Sequence, residues 1–286
     1  MNEKRYIIGI GAQKSGTSWL ADYLSNHPKV LVPPYKELHF FDSIYQAQPQ
    51  LCGGLERKVL NTFIELAHKI RANDIVNQTP RFKRFMKLAE RARICGDIER
   101  YRDYFAFYAK NNESIFCEVT PEYSLLTADG YRAIKGLADD VRLVFLIRNP
   151  VDRFWSAVRM WAKSHPDYDV PANFEIFLNR QHYFLSTDYG NTLKTVYEVF
   201  PKERVFVQFY EHLFNSDVIE QLCQFCDIEF IAPDTEKRVL EGIPLPLTPE
   251  MRKRIYQQFA HVYQWAETEF NSALPKSWLA DIKAFQ

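Results

Sequence analysis

The chain has 286 residues, of which 47% are hydrophobic and 25% are charged, and its 36 basic and 36 acidic side chains leave no formal net charge. This length suits one α/β domain with a large core that needs neither a disulfide nor a metal for stability. The balanced charge argues against a nucleic-acid binder or a membrane-surface protein, since both normally carry a basic excess. No apolar run approaches 18 residues and no secretory signal opens the chain, so we expect a cytoplasmic protein without a membrane span.

The first 32 residues predict a strand, a loop, a helix and a second strand. Tyr6–Ile10 is an apolar run typical of a strand buried on both faces, and Thr17–Asn26 has apolar residues at helical spacing. Val30–Val32 predicts the second strand, which ends at Pro33. The loop between the first strand and the helix, Gly11–Gly16, is conspicuous because the whole chain has only ten glycines.

Strands and helices are expected to alternate along the rest of the chain. Strands are predicted at Ile115–Val119, Val141–Ile147 and Arg204–Phe209, a loop at His165–Tyr183, and helices within 53–112 (notably Asn61–Ile70 and Asp97–Lys110) and at Val151–Ala162, Asn191–Phe200, Ser216–Cys226 and Pro249–Phe270. This alternation predicts an α/β fold in which a central parallel sheet is flanked by helices. We found no linker, so a single domain is expected over residues 1–286.

The segment Gly11–Ser18 reads GAQKSGTS and follows the first predicted strand directly. At such a position the backbone N–H groups of a helix N-terminus attract an anion, and glycine lets it approach closely. The two glycines have the spacing of a Walker A loop, but Thr17 stands at its lysine position and the lysine of this segment is Lys14. A P-loop nucleotide kinase would therefore lack a phosphate ligand. It remains an alternative, as does a nucleotide-binding regulatory module without turnover.

The strand Val141–Ile147 ends in Arg148, where a Walker B strand would end in an aspartate that holds Mg²⁺. An arginine at this edge of a parallel sheet reaches into the ligand crevice. Ser156 follows two helical turns later, within reach of the same anion, and Asn149 is the expected cap of the helix. The pattern indicates a second phosphate-like group that is bound without a metal.

The segment Lys36–Asp42, KELHFFD, follows the second predicted strand. A lysine, a glutamate and a histidine beside two phenylalanines indicate a partly desolvated acid/base site. Burial there is expected to raise the pKa of the Glu37 carboxyl toward the range of a general base. Alternatively, Phe40 and Phe41 belong to the core and the charged residues form a solvated rim.

In kind, order and spacing, these three segments resemble the sulfotransferases that use 3′-phosphoadenosine 5′-phosphosulfate (PAPS). Residues 11–20 are similar to the 5′-phosphosulfate loop of that family, and residues 148–156 to its 3′-phosphate motif, R-[DN]-P-x-x-R-x-x-S. Residues 36–42 resemble the segment that carries the base in heparan-sulfate-type and related bacterial enzymes. Residues 118–123 resemble an acceptor-side loop, in which Val119 replaces the usual lysine and argues against a glycosaminoglycan acceptor.

The resemblance implies a role for each matched residue. Glu37 would remove the proton from an acceptor hydroxyl or amine, with His39 as the rival base, and Lys14 would stabilise the leaving phosphate. The donor would be PAPS, which leaves as 3′,5′-adenosine bisphosphate, and no metal would be required. Trp19 would lie against the adenine or belong to the core. The residues implied to bind PAPS are Lys14, Ser15, Gly16, Thr17, Ser18, Trp19, Arg148 and Ser156.

Two segments bear on the acceptor. Arg81–Arg102 contains eight basic and three acidic residues, which predicts either a solvated amphipathic helix or a binding strip for an anionic acceptor. His165–Tyr183 is either a lid over the acceptor or an ordinary loop. A carbohydrate, a peptide tyrosine and a small molecule all remain possible acceptors, and the oligomeric state stays open.

Overall fold

A five-stranded parallel sheet forms the centre of the computed structural model, which describes residues 4–45, 59–66, 79–110, 113–233 and 243–286. In the described residues the strand order is β2-β3-β1-β4-β5, so β1 lies in the middle and pairs with β3 and β4. The predicted α/β fold with a central parallel sheet is confirmed. The strands are β1 (Arg5–Gly11), β2 (Val30–Leu31), β3 (Ile115–Val119), β4 (Val141–Ile147) and β5 (Val205–Phe209).

Helices connect the strands and cover both faces of the sheet. None of the described helices has the length and hydropathy needed to span a bilayer. The helices are α1 (Thr17–Ser25), α2 (Asp42–Tyr45), α3 (59–66), α4 (Thr79–Ile94), α5 (Ile98–Tyr108), α6 (Ala128–Lys135), α7 (Pro150–Lys163), α8 (Phe174–Leu178), α9 (Gln181–Leu185), α10 (Tyr189–Tyr197), α11 (Ser216–Cys226), α12 (Pro249–Gln258), α13 (Ala260–Phe270) and α14 (Lys276–Phe285).

The central strands are apolar throughout because each of their faces meets a separate core. Ile7 and Val144 point into a layer shared with α1 and α11, which includes the buried free thiols of Cys223 and Cys226. Ile8 and Phe145, one position further along each strand, point into the larger core on the opposite face. Burial on both faces explains the unbroken apolar runs that predicted these strands.

The observed helices differ from the predicted elements in the loop His165–Tyr183 and in the helix Pro249–Phe270. The predicted loop His165–Tyr183 contains α8 and the start of α9, which are five residues each and too short to show a helical period. The predicted helix Pro249–Phe270 divides at Phe259, whose φ of −111° and ψ of 17° leave the helical region. Of the helical region predicted within 53–112, residues 53–58, 67–78 and 111–112 lie outside the described residues.

The parallel arrangement places the carboxyl ends of neighbouring strands at one edge of the sheet. Ligands of open α/β sheets bind in the crevice outside this edge. The crevice is lined by the segments that follow four strands: the phosphate loop (Gly11–Gly16) after β1, the base segment (Lys36–Asp42) after β2, the β3 loop (residues 120–125), and Arg148 with Asn149 after β4.

Candidate active site

The phosphate loop ends at an open helix N-terminus. Gly16 has a φ of 91° at the N-cap of α1, and within the described residues no side chain caps this helix. A Cβ on Gly16 would lie 2.8 Å from a methyl group of Leu213, so only glycine fits the position without displacing a neighbour. The first backbone N–H groups of a helix lack partners inside the helix and carry partial positive charge. The start of α1 is therefore arranged to receive an anion.

Some buried polar atoms in and beside the loop have no hydrogen-bond partner in the described part of the chain. Among the described residues, no partner accepts or donates a hydrogen bond at Ser15 Oγ or at Nε and Nη1 of Arg153. Both side chains are fully buried. An unsatisfied buried polar group costs about 1–3 kcal/mol, and more when it is charged. A bound anion that accepts these hydrogen bonds would remove that cost.

Positive charge concentrates around Lys14. Arg148 donates from Nη1 to the backbone oxygen of Lys14 at 3.1 Å, and its guanidinium lies 4.5 Å from the ring centre of Tyr210. Burial lowers the pKa of Lys14, and the charges of Arg148, Arg159 and Arg153 lower it further. Because these cations repel one another, a polyanion between them would be strongly stabilised.

Helix α7 places further side chains beside the phosphate loop. Lys14 Nζ lies 3.7 Å from Sδ of Met160, which shares a face of the helix with Ser156 one turn earlier. Ser156 is buried on this helix, and the N-cap Asn149 accepts a hydrogen bond from Asp152 N–H, which confirms the predicted cap. Contact between Ser156 and a 3′-phosphate stays a prediction.

Glu37, His39 and Asp42 form a hydrogen-bonded row in the base segment. His39 Nε2 lies 3.4 Å from Glu37 Oε2, and His39 Nδ1 lies 2.6 Å from Oδ2 of the fully buried Asp42. Phe40 and Phe41 belong to the core, as the alternative interpretation expected. The charged residues before them do not form a solvated rim, however, because Glu37 and His39 are part-buried and paired.

The expected rise in the pKa of Glu37 is wrong. Burial does raise the pKa, but the hydrogen bond from His39 and the positive charge of Lys36 outweigh it and leave the pKa below its ordinary value. Burial lowers the pKa of His39, whereas hydrogen bonds to Asp42 and Glu37 raise it to about 9. Glu37 is therefore an ionised carboxylate held by an imidazolium, and it is able to accept a proton without first losing one.

The base segment is anchored to the β3 loop through a buried carboxylate. Glu118 accepts hydrogen bonds from the hydroxyl groups of Tyr101, Tyr123 and Thr120. The Tyr123 hydroxyl in turn accepts the backbone N–H of Phe40 at 3.1 Å. Glu118 is buried, and it supports the base segment indirectly through Tyr123.

Comparison with known proteins decides the family. A sequence profile described as the sulfotransferase family matches residues 7–232. The chain belongs to this family. A solved sulfotransferase structure from Alicyclobacillus acidocaldarius shares the fold, with 20% identity, a TM-score of 0.66 and coverage of 96% of this chain and 99% of that one. The sulfotransferase domain of the Synechococcus PCC 7002 olefin synthase also shares it, with 17% identity, a TM-score of 0.51 and coverage of 99% of this chain and 94% of that one. No curated protein matches the chain in sequence.

Lys36 and Lys87 also lie near Glu37, in contacts that the motifs did not indicate. Lys36 Nζ donates to the backbone oxygen of Thr17 at 2.9 Å and lies 3.5 Å from Ser18 Oγ, so it ties the base segment to the start of α1. Burial lowers the pKa of Lys87 on α4, and the charge of Glu37 opposes that shift. One member of the basic segment therefore lies near Glu37.

Much of the basic segment Arg81–Arg102 is solvated, as its first interpretation predicted. Arg93 and Arg100 are exposed, Arg102 is half-buried, and all three form ion pairs with acidic residues three positions earlier. The side chain of Arg81 lies outside the described part of the structure.

Trp19 belongs to the smaller core. It is 6% exposed, stacks on Tyr23 at 5.1 Å and meets Phe214 edge-on. Val119 is also buried, with its methyl groups close to Gly9. Contact between Trp19 and an adenine ring stays a prediction.

The C-terminal helices hold Asn149, and the sequence offered no motif for this contact. Asn149 Nδ2 donates to Asp281 Oδ2 on α14 at 2.8 Å, and Asp281 also accepts hydrogen bonds from Arg252 and Tyr263. The backbone N–H of Asn149 donates to Glu211 at 2.8 Å. Residues from three C-terminal helices thereby fix the turn that follows Arg148. Asp281 is a buried carboxylate inside an ordinary amphipathic helix, so the sequence contained no signal for it.

Proposed function

We propose that this sulfotransferase transfers the sulfuryl group of PAPS to a hydroxyl or amine of an acceptor, with Glu37 as the general base. One arrangement carries the proposal: the cations around Lys14 and the ionised Glu37 lie along one crevice, and Lys36 joins the base segment to the helix that receives the anion. In-line transfer needs this order, with positive charge at the leaving group and a base at the nucleophile.

The residues of the crevice fit PAPS. Its 5′-phosphosulfate would lie at the N-terminus of α1, where Ser15 and Lys14 provide donors. Its 3′-phosphate would meet Arg148 and Ser156 at the end of β4 and on α7. When bound, PAPS supplies the sulfuryl group and leaves as 3′,5′-adenosine bisphosphate.

Glu37 takes the proton from the acceptor as the acceptor oxygen or nitrogen forms its bond to sulfur and the bond from sulfur to the phosphate oxygen breaks. His39 donates its Nε2 hydrogen bond to Glu37 and orients the carboxylate, while Asp42 fixes the imidazole ring. Lys14 and the N–H groups at the start of α1 stabilise the charge that develops on the leaving oxygen. We assign His39 a positioning role because Asp42 and Glu37 occupy both of its nitrogens.

Transfer from labelled PAPS tests the proposal against three acceptor classes: carbohydrate, tyrosine peptide and small alcohol or amine. Calorimetry with 3′,5′-adenosine bisphosphate, with and without Mg²⁺, accompanies it. We expect metal-independent binding and labelled product with one class. Binding of ATP–Mg²⁺ alone would favour a kinase, and binding without turnover to any acceptor or to water would favour a regulatory module.

A further inference from the structure

A second carboxylate, Glu122, lies close to Glu37 and His39. Among the residues that the structure describes, Glu37, His39 and Glu122 each offer one ligand atom, and the three atoms lie within 4.8 Å of one another. Two carboxylate oxygens and an imidazole nitrogen form a ligand set that suits Zn²⁺ and leaves a coordination position open. We propose that these three side chains bind Zn²⁺ at the acceptor end of the crevice.

Asp42 prepares His39 to be a metal ligand. It lies 2.6 Å from Nδ1, so Nδ1 is committed to this hydrogen bond and Nε2 is directed at Glu37. A carboxylate behind the far nitrogen of a histidine is the usual outer partner in zinc sites, where it fixes the ring and increases its basicity. Only a neutral imidazole coordinates a metal, so the ion takes the place of the proton on Nε2.

The three ligand atoms are spaced slightly more widely than the ligands of a bound tetrahedral ion. Bonds of about 2 Å place the ligands of a tetrahedral ion roughly 3.3 Å apart. The separation of 3.4 Å between His39 Nε2 and Glu37 Oε2 already meets this value. All three ligand atoms lie within 4.8 Å of one another, so a bound ion would draw the Glu122 carboxylate closer by on the order of 1 Å.

The charges around the three ligands also favour a cation. Glu37 and Glu122 bring two carboxylates close together, and their negative charges repel each other. A divalent ion between the two carboxylates would relieve this repulsion. Lys36 and Lys87 lie close to both Glu37 and Glu122 and oppose the ion, so the affinity reflects the balance between three ligands and two nearby cations.

Calorimetry with zinc chloride on the full 286-residue chain tests the site. The variant Glu122→Gln removes one ligand, and Glu220→Gln makes the same change at an exposed position on α11 as the matched control. We expect one Zn²⁺ per wild-type chain, an affinity at least tenfold weaker in Glu122→Gln, and no change in Glu220→Gln. Glu37→Gln, which removes a different ligand, is expected to give the same loss.

Co²⁺ gives an independent readout. Bound by two carboxylates and an imidazole, it should show weak visible bands that Glu122→Gln alters, whereas thiolates would produce intense near-ultraviolet absorption. The proposal is overturned if no one-to-one binding occurs, if Glu122→Gln binds Zn²⁺ as tightly as wild type while circular dichroism shows it folded, or if Co²⁺ shows thiolate absorption.

The consequence for transfer rests on the proposed function. An ion on Glu37 occupies the lone pair that would accept the acceptor proton, so saturating Zn²⁺ should stop transfer and a chelator should restore it. If Zn²⁺ binds at these residues and transfer continues at full rate, the metal site stands and the role of Glu37 as base is contradicted. If Zn²⁺ does not bind, the metal site fails and the base role is unaffected.

Discussion

Arg148 at the end of β4 donates a hydrogen bond to the backbone oxygen of Lys14 in the phosphate loop, 3.1 Å away. The two residues lie 134 positions apart, and this bond joins the segments that follow two adjacent strands of the sheet. The bond therefore fixes the Arg148 guanidinium beside the phosphate loop, at the place where the donor's phosphates would lie.

Replacing Lys14 tests the charge at the leaving group. Lys14→Ala removes the ammonium while leaving the backbone oxygen that Arg148 holds, so we expect transfer to fall by about 10²–10³-fold. Lys163→Ala, at the exposed end of α7, is the matched control and should transfer normally. Steady-state transfer from labelled PAPS measures both, and near-normal transfer by Lys14→Ala would contradict its role.

Replacing Arg148 tests recognition of the 3′-phosphate. A charge-assisted hydrogen bond contributes about 1.5–3 kcal/mol, so Arg148→Ala should weaken binding of 3′,5′-adenosine bisphosphate roughly tenfold to 150-fold. The loss should be much smaller for adenosine 5′-monophosphate, which lacks that phosphate. Arg132→Ala, at an exposed arginine on α6, controls for loss of charge. Equal losses for the two nucleotides in calorimetry would argue against this assignment.

Replacing Asp281 tests whether the C-terminal helices position the 3′-phosphate site. Asp281→Asn weakens the bonds to Arg252 and Asn149, and we expect a loss of about 1–3 kcal/mol in the free energy of unfolding by urea. Affinity for 3′,5′-adenosine bisphosphate should fall while affinity for adenosine 5′-monophosphate is retained. Glu175→Gln, which breaks the exposed pair with Arg254, should change neither quantity appreciably.

If Asp281→Asn lowers stability and binds both nucleotides as wild type does, the residue has a purely structural role. This readout separates positioning from folding, because a merely structural residue has no reason to distinguish the two ligands.

The parts of the site that could be predicted from sequence are those held by local backbone geometry. The glycines of the phosphate loop and Arg148 each follow a strand directly, so their position along the chain fixes their place at the sheet edge. Asp281 and Glu122 could not be predicted, because their contacts depend on how distant segments pack. The pKa of Glu37 was predicted with the wrong sign for a similar reason: the geometry of His39 and Asp42, invisible in the sequence, decides it.

The role of Glu37 is tested most directly by measuring transfer and donor-site affinity together in Glu37→Gln and His39→Ala. Glutamine keeps the shape of the side chain but cannot accept the proton, so we predict that transfer by Glu37→Gln falls by roughly 10²–10⁴-fold while calorimetric affinity for 3′,5′-adenosine bisphosphate is retained. His39→Ala should lose less, since it only positions the carboxylate. Near-normal transfer by Glu37→Gln, together with its loss in His39→Ala, would contradict the account.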